Sequence, residues 1–351
     1  MSPILRRLAA ADDCDFQFID TGQHYDYEMD LIFCEELNLP PPIVLNVGSA
    51  TPGKQTGKAL IAIEEQLLAF KPHVVMVAGD TNSTLSGALA AVKQNIPVAH
   101  VEAGLRSFDR TMPEELNRVI VDHISTWLFA PTQQAVDNLL AEGIDRTKIT
   151  ITYDIHVDVL NDNFKLADER SSILTKLGLQ NYILLTCHRP ANTDNFQNLR
   201  NITLALKELA QQLPLVFTIH PRTTKKLHEF GLYQELAETP NIRLIKPVGF
   251  FDFLKLMGHA ACVITDSGGV QKEALILKVP CVTIRENTEW VETIAAGANV
   301  LVGTDPVKIV AEAKKRCTPK FHHFMQQVVN PYGTGETSSI ILKTIWEDLR
   351  D

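Results

Sequence analysis

Two acids in the first half of this 351-residue chain follow directly after short apolar runs that are typical of buried strands. Asp80 comes after His73–Ala78, and Glu102 comes after Val98–Val101. The carboxyl ends of parallel strands meet at one edge of a sheet, so we expect these carboxylates to lie near each other. There they could take and return protons as general acids and bases. The alternatives are that Asp80 caps the next helix and that Glu102 is an exposed loop acid.

Two further acids, Glu114 and Glu115, follow Pro113. This run predicts the first turn of a helix, where Pro is favoured at the first position and the helix dipole favours acids. That explanation accounts for both glutamates, so position alone favours an ordinary helix start over a catalytic role. His24 follows another predicted strand, Phe16–Thr21, and adds a polar group to the same sheet edge.

The strongest local signal in the second half is Thr265-Asp-Ser-Gly-Gly-Val-Gln-Lys-Glu-Ala274. A predicted strand runs into Ser267, Gly268 and Gly269, and a helix begins at once. Adjacent glycines let backbone N–H groups approach an anion closely, and the helix N-terminus adds favourable partial charge. We therefore expect a diphosphate at this loop, with Glu273 one turn into the helix as an acceptor for ribose hydroxyls. The alternative is a plain strand–helix turn with an exposed glutamate.

Two histidines of the second half also follow predicted strands, His188 in Thr186-Cys-His-Arg-Pro190 and His220 in Ile219-His-Pro-Arg-Thr223. Such strand ends are where α/β sheets bind ligands. A histidine there can donate to a phosphate or carry a proton, although a plain surface His–Arg pair is also possible. Cys187 is not expected to act as a nucleophile paired with His188, because neighbours on a strand point to opposite faces.

The elements that would position these residues alternate as short apolar runs and amphipathic segments, which is typical of βαβ units around a parallel sheet. The strands predicted in the first half are Phe16–Thr21, Ile43–Val47, His73–Ala78, Val98–Val101, Trp127–Ala130 and Ile149–Thr152. The pattern then restarts, with predicted strands at Tyr182–Cys187, Leu215–Ile219, Ile242–Ile245, Cys262–Thr265, Cys281–Ile284 and Val300–Val302. We therefore expect an α/β protein with domains at residues 1–160 and 161–335, linked at Asn161–Arg170, and a final helix at residues 336–351.

Composition narrows the possible partners. The chain is 45% hydrophobic and 21% charged with a net charge of −9, which argues against nucleic acid. No apolar run approaches the roughly 20 residues of a membrane span, and six cysteines without a C-x-x-C pair fit a reduced, cytoplasmic protein. We expect no bound metal, because His322-His323 has no further metal ligand at regular spacing. The sequence also contains no G-x-G-x-x-G motif for a dinucleotide and no Walker A motif for a nucleoside triphosphate.

Nine motifs in order resemble those of the non-hydrolysing UDP-N-acetylglucosamine 2-epimerases, over residues 1 to about 341. They are GQHYD, AGDTNSTL, HVEAGLRS, MPEELNR, TCHR, HPRT, TDSGGVQKEA, RENTEWVE and NPYGTG. The resemblance implies two Rossmann-like domains facing across a cleft, the glycosyltransferase-B arrangement, with the last helix packed back towards the first domain. It also implies interconversion of UDP-GlcNAc and UDP-ManNAc without a cofactor. UDP is eliminated to leave a 2-acetamidoglucal and is then added back with inversion at C2.

Motif by motif, the resemblance implies a catalytic group made of Asp80, Glu102, Glu114 and His188. It implies a substrate-binding group made of Ser267, Gly268 and Gly269 for the phosphates, Glu273 for the ribose, Arg285 near the sugar nucleotide and Phe253 near the uracil. Bacterial members of the family can bind a second UDP-GlcNAc as activator, and His24 and His220 lie where such contacts would form. The resemblance further implies a homodimer.

The chain departs from the family pattern in several places, including its start, Tyr153-Asp154, Ala191 in place of a usual Glu and Val291 in place of a frequent Pro. The family begins with a strand and a G-T-R-P-E segment that have no counterpart here, so we expect Met1 to be an internal methionine. If the protein is genuinely this short, we expect very weak or no epimerase activity. Tyr153-Asp154 replaces a usual Gly-Asn; a tyrosine does not easily adopt a glycine-type conformation, so we expect the backbone to differ there. The alternative functions are a UDP-sugar-binding protein with impaired catalysis, a glycosyltransferase of the same fold and a hydrolysing epimerase.

Overall fold

A computed structural model describes residues 1–22, 39–48 and 50–350 of the chain. The chain divides into two compact units, one made of Met1–Val159 with Tyr332–Asp351 and the other of Leu160–Pro331. His24 lies outside the described residues. Within the described ranges, no helix combines the length and the apolar character that crossing a membrane would require.

The first unit is built on parallel strands with helices between them. Its described strands are β1 (Ile19–Asp20), β2 (Ile43–Val44), β3 (Val75–Ala78), β4 (Val98–Val101), β5 (Trp127–Ala130) and β6 (Ile149–Ile151). The α-helices described before the second unit are α1 (Ser2–Ala9), α2 (Pro52–Phe70), α3 (Asn82–Lys93), α4 (Pro113–Ile124), α5 (Gln133–Ala141) and α6 (Ile155–Arg170), the last of which continues into that unit. Strands β3 to β6 form one sheet in that order, while β1 pairs with β2. Every residue of β4 and β5 is buried, as expected where helices cover both faces of a parallel sheet.

The second unit has one parallel sheet of six strands. They are β7 (Ile183–Thr186), β8 (Leu215–Thr218), β9 (Ile242–Ile245), β10 (Cys262–Thr265), β11 (Cys281–Thr283) and β12 (Asn299–Leu301). The helices are α7 (Ile173–Leu177), α8 (Pro190–Thr193), α9 (Phe196–Leu209), α10 (Pro221–Glu229), α11 (Tyr233–Ala237), α12 (Phe250–Gly258), α13 (Gly268–Ile276), α14 (Val291–Ala295), α15 (Pro306–Arg316) and α16 (Pro319–Gln327). The order β12-β11-β10-β7-β8-β9 is that of a Rossmann sheet, so the strand order reverses between the parallel neighbours β7 and β10 and leaves a crevice at their carboxyl ends.

The change of unit falls inside a helix. Helix α6 runs through Ile155–Arg170, and the units divide between Val159 and Leu160. The stretch Asn161–Arg170, taken from its charge as the link between domains, is therefore the second part of this helix. The sequence boundaries at 160 and 335 lie near the observed divisions.

The last helix, α17 (Thr337–Arg350), belongs to the first unit. Its apolar face, with Ile341 and Ile345, packs into the same core as Ile4 of α1. The buried carboxylate of Asp158 caps its start by accepting hydrogen bonds from the backbone N–H of Thr337 at 3.2 Å and of Ser338 at 2.9 Å, and from the Ser338 hydroxyl at 2.6 Å. This carboxylate satisfies backbone donors that a helix start otherwise leaves unpaired.

We expect Asp158→Ala to lower the free energy of unfolding by about 2–3 kcal/mol, because buried donors at the start of α17 lose their acceptor. Urea denaturation measures this loss, and limited proteolysis should show faster cleavage just before α17. Asp305→Ala is the matched control, since Asp305 caps α15 at an exposed site and should cost only about 1 kcal/mol. Equal losses in the two variants would contradict the role given to Asp158.

Candidate functional site

The carboxyl edge of the first sheet carries two of the predicted acids. Asp80 follows β3, and Glu102 follows β4. The Glu102 Oε2 atom lies 3.7 Å from the position that a Cβ atom on Gly79 would take, so this carboxylate lies over the turn that leads to Asp80. Glu102 has a φ of 68°, in the left-handed region that non-glycine residues seldom adopt. Such strain persists only where surrounding contacts impose it, and it is found most often at functional sites.

Asp80 is held by helix α4. Its carboxylate forms an ion pair with Arg118, and its backbone carbonyl accepts a hydrogen bond from Asn117 at 2.9 Å. The cap of α3 is instead Thr81, whose side chain accepts the N–H of Thr84. Asp80 therefore does not serve as the helix cap that its position alone allowed.

The two glutamates at the start of α4 differ. Glu114 is exposed, whereas Glu115 is buried. The Glu115 carboxylate accepts the backbone N–H groups of Ser107 and Phe108, each at 2.9 Å, and pairs with Arg118 at 3.0 Å. Burial alone would raise the pKa of Glu115, but these hydrogen bonds and the arginine charge together hold it below its usual value. Glu115 lies in the first turn of α4, as predicted, and it also anchors the loop that follows Glu102.

A buried charge network fixes both turns of this edge. Asp122 of α4 accepts a hydrogen bond from Arg106 at 2.7 Å and one from the Gly104 N–H at 3.1 Å, and it lies 2.7 Å from Nδ1 of His100. His100 Nε2 lies 2.9 Å from the carbonyl oxygen of Gly79. A carbonyl only accepts, so Nε2 carries the hydrogen. The network therefore ties the turn before Asp80 and the loop after Glu102 to one carboxylate. This network was not predicted from the sequence. The one local feature that pointed to it was His100, a single histidine within the apolar strand Val98–Val101.

Another cluster surrounds Glu102. His156 Nδ1 lies 3.0 Å from the Asp154 carboxylate and 3.6 Å from that of Glu102, and one ligand atom from each residue falls within 4.8 Å of the others. Such a set could hold a cation. Asp154 also accepts the backbone N–H of His156 at 2.9 Å, so hydrogen bonding at the start of α6 accounts for the same contacts.

The residue before this cluster corrects one expectation. Tyr153 has a φ of 64°, so a tyrosine does adopt the glycine-type conformation here. Its Cβ atom lies 2.5 Å from the position that a Cβ on Gly333 would take, and the N–H of Asp154 donates to the Tyr332 carbonyl at 3.0 Å. The missing side chain of Gly333 makes room for Tyr153, and this tertiary contact outweighs the local preference.

In the second unit, Asp266 organises the crevice between β7 and β10. Its carboxylate is fully buried and accepts the backbone N–H of His188 at 3.1 Å, that of Arg189 at 2.9 Å and the side-chain amide of Asn192 at 3.1 Å. His188 Nδ1 lies 3.4 Å from the same carboxylate. Asp266 therefore fixes the His188 loop to the end of β10. Sequence analysis missed this role, although Asp266 directly precedes the glycine loop.

His220 and Cys187 also lie at these strand ends, and neighbouring residues account for the state of each side chain. The ring of His220 lies 6.0 Å from that of His188, and its Nδ1 accepts the N–H of Arg222 as the cap of α10. Burial raises the pKa of Cys187 well above its usual value, so its thiol stays protonated, in agreement with the expectation that it is not a nucleophile.

The predicted anion loop lies at the same crevice. Strand β10 ends at Thr265 and helix α13 begins at Gly268, with Ser267 as its N-cap. The Ser267 side chain makes no capping hydrogen bond to this helix start. A Cβ atom added to Gly269 would have open space around it, so an incoming group can reach the backbone there. This geometry suits a phosphate group. Glu273 lies half-buried on the same helix, and Phe253 is half-buried on α12.

Arg285 follows β11 and is occupied by neighbours. Its two terminal nitrogens donate to the Glu289 carboxylate at 2.9 and 3.0 Å, and one of them also reaches the Asn287 side chain at 3.1 Å. Arg189 lies 3.5 Å from the same carboxylate. The hydrogen bonds and charge of Arg285 lower the pKa of Glu289 to about 2.

Proteins of known family resemble this chain along almost its whole length. Residues 6–346 match the family model described as UDP-N-acetylglucosamine 2-epimerase. A UDP-N-acetylglucosamine 2-epimerase of Methanocaldococcus jannaschii is 47% identical over 98% of this chain and 94% of its own length. Its solved structure superposes with a TM-score of 0.91, covering 99% of this chain and 95% of that one at 46% identity. A second structure of that enzyme, in complex with UDP-GlcNAc and UDP, gives 0.71 over the same shares at 47% identity.

A relative named for a different substrate is also similar to this chain. The UDP-2,3-diacetamido-2,3-dideoxy-D-glucuronate 2-epimerase of Pseudomonas aeruginosa is 43% identical over 92% of this chain and 89% of its own length. These comparisons confirm the predicted α/β fold. Since the family model and these relatives match nearly the whole chain, it belongs to the UDP-N-acetylglucosamine 2-epimerase family.

Proposed function

We propose that the chain interconverts UDP-GlcNAc and UDP-ManNAc by eliminating UDP to a 2-acetamidoglucal and adding it back with inversion at C2. The observation that supports this most is the match to 2-epimerases along almost the whole chain. The C2 proton of the sugar is only weakly acidic, so a carboxylate can remove it only while the C1–O bond breaks. The reaction therefore needs a base beside C2 and a stabilised diphosphate leaving group.

We assign the UDP part of the substrate to the second unit. Ser267, Gly268 and Gly269 would hold the diphosphate at the start of α13, where backbone N–H groups and the helix dipole favour negative charge. His188 would donate to the diphosphate from the neighbouring strand end. The remaining assignments are Glu273 to the ribose, Arg285 to the sugar nucleotide and Phe253 to the uracil.

We assign proton transfer to the acids of the first unit, Asp80, Glu102 and Glu114. In the elimination, Glu102 takes the C2 proton, the C–H electrons form the C1–C2 double bond, and the C1–O electrons leave with UDP. Inversion requires the proton to return on the opposite face of the ring, so a second group must deliver it. The strained backbone of Glu102 and the contacts that hold it in place support its assignment as one of these groups.

The test is product analysis by NMR after incubation of the chain with UDP-GlcNAc alone. We expect a mixture of UDP-GlcNAc and UDP-ManNAc with no net loss of nucleotide sugar. Free ManNAc with stoichiometric UDP would identify a hydrolysing epimerase, and UDP release that requires a sugar acceptor would identify a glycosyltransferase. Binding without turnover would identify a UDP-sugar-binding protein. The names of the similar relatives do not favour these three alternatives.

We further propose that the chain is a cytoplasmic homodimer and that a second UDP-GlcNAc activates it through contacts at His24 and His220. Support for the dimer comes from large aliphatic side chains exposed on α2 and α4, namely Ile61, Leu68, Leu116 and Ile120. The cytoplasm suits the five described cysteines, which are all free thiols. Light scattering tests the dimer, and a sigmoidal rate curve in UDP-GlcNAc tests the activation.

A further inference from the structure

A carboxylate already occupies the cationic groups beside the proposed diphosphate loop. Glu289 accepts two hydrogen bonds from the Arg285 guanidinium, at 2.9 and 3.0 Å, and lies 3.5 Å from Arg189. The carboxylate matches the fork of an arginine in the same two-point geometry that a phosphate uses. Both arginines therefore already have an anionic partner.

The carboxylate of Glu289 lies beside the first residue of helix α13, Gly268. Glu289 Oε2 lies 3.3 Å from where a Cβ atom on Gly268 would be, and Arg189 Nη2 lies 3.8 Å from the same point. Two guanidinium groups and the positive end of a helix thus converge on one carboxylate, which is the environment that a phosphate oxygen would seek. By contrast, a Cβ atom on the adjacent Gly269 would meet no neighbour within 4 Å.

Glu289 is ionised at neutral pH like any ordinary carboxylate, and its hydrogen bonds with Arg285 lower its pKa further, to about 2. Its side chain is nevertheless 54% exposed, whereas that of Arg285 is only 12% exposed. An exposed carboxylate can swing away at small cost, since exposed ion pairs contribute little free energy. The arginine that it covers is the fixed member of the pair.

We propose that Glu289 is an internal anion that competes with the ligand's phosphates for Arg189, Arg285 and the start of α13, and thereby sets the affinity of the site. A ligand must displace this carboxylate, which lowers the affinity for inorganic phosphate and for UDP by a similar factor. The inference rests on the proposed site for UDP and adds to it a residue that determines affinity.

Two roles are possible for Glu289, and they predict opposite changes in ligand affinity when its charge is removed. If Glu289 mainly orients the two arginines for the ligand, its loss leaves them mobile and weakens binding. If it competes with the ligand, its loss frees both cations and strengthens binding. Glu289→Gln separates the two roles because it keeps the size of the side chain and removes only its charge.

The experiment is calorimetric titration of the full chain with UDP, comparing the unmodified protein with Glu289→Gln. We expect the variant to bind UDP about two- to fivefold more tightly, the range set by an exposed ion pair. The affinity for inorganic phosphate, measured by competition with UDP, should rise in the variant by a similar factor. Glu235→Gln is the matched control: it removes the same charge from an ion pair with Lys207 at 3.0 Å in the same unit and should leave UDP affinity unchanged.

Weaker or unchanged UDP binding by Glu289→Gln would overturn the inference while leaving the UDP site intact. A change of the same size in Glu235→Gln would also overturn it, because the effect would then follow from net charge alone. If the unmodified chain binds no UDP, the proposed site itself fails and the inference falls with it.

Discussion

Glu102→Gln is expected to lower kcat for epimerisation of UDP-GlcNAc by about a thousandfold, within the usual range for loss of a general acid or base. The amide is nearly isosteric with the carboxylate but cannot take a proton from C2. The contacts of the surrounding residues should persist, because the Glu102 backbone is fixed by its place at the end of β4. The binding of UDP, assigned to the second unit, should remain unchanged when measured by calorimetry.

The control for this variant is Glu347→Gln, on the last helix of the same unit. Glu347 forms an exposed pair with Lys343 at 3.7 Å, so its loss should leave kcat within a factor of two. A Glu102→Gln protein that keeps more than a tenth of the original kcat would remove Glu102 from the proton-transfer step. The base would then have to be sought in Asp80 or Glu114.

Asp122→Asn should produce the largest loss of stability, about 3–5 kcal/mol in the free energy of unfolding. Asp122 is completely buried and lies between the side chains of His100 and Arg106. Removing one partner from a buried charge network leaves the others unpaired in a medium of low polarity. The same change should lower activity, since both turns that carry Asp80 and Glu102 depend on this carboxylate.

Urea denaturation monitored by circular dichroism measures this loss. The matched control is Asp137→Asn on α5, an exposed site where the carboxylate accepts one hydrogen bond from Gln133 at 2.9 Å. It should change stability by less than about 0.5 kcal/mol. If Asp122→Asn were as stable as this control, the network would not be what holds the two turns.

The strands that position the site were predictable because their apolar character is local. The predicted bounds of Val98–Val101, Trp127–Ala130, Ile242–Ile245 and Cys262–Thr265 are those observed. Strands β4, β5 and β10 are buried at every position, so their sequences are largely apolar. Strand β9 lies at the edge of its sheet and was recognisable from Ile242, Leu244 and Ile245, although Arg243 between them is exposed. The glycine loop after β10 was recognisable for a similar reason, since its chemistry depends on adjacent residues.

The supporting contacts were not predictable because they join residues that belong to different elements of the fold. Asp266 holds a loop that lies 77 and 78 positions away, and Glu115 holds one that lies 7 and 8 positions away. Nothing in the local pattern distinguishes such a carboxylate from a helix cap or a surface acid. The conformation of Tyr153 also depends on a distant residue, Gly333, whose missing side chain makes room for it. The distinction between Glu114 and Glu115 likewise needs the fold, because it depends on which side of α4 faces the Ser107 loop.

The most direct test of the central claim is incubation of the chain with UDP-GlcNAc in heavy water, with deuterium at C2 followed by NMR and mass spectrometry. Elimination breaks the C2–H bond at Glu102, and re-addition remakes it with a proton from a second group; both groups exchange their protons with solvent. We therefore expect one deuterium at C2 of the UDP-ManNAc formed, and deuterium incorporation about a thousandfold slower with Glu102→Gln. Formation of UDP-ManNAc that retains the original hydrogen at C2 in every molecule would contradict the proposed mechanism.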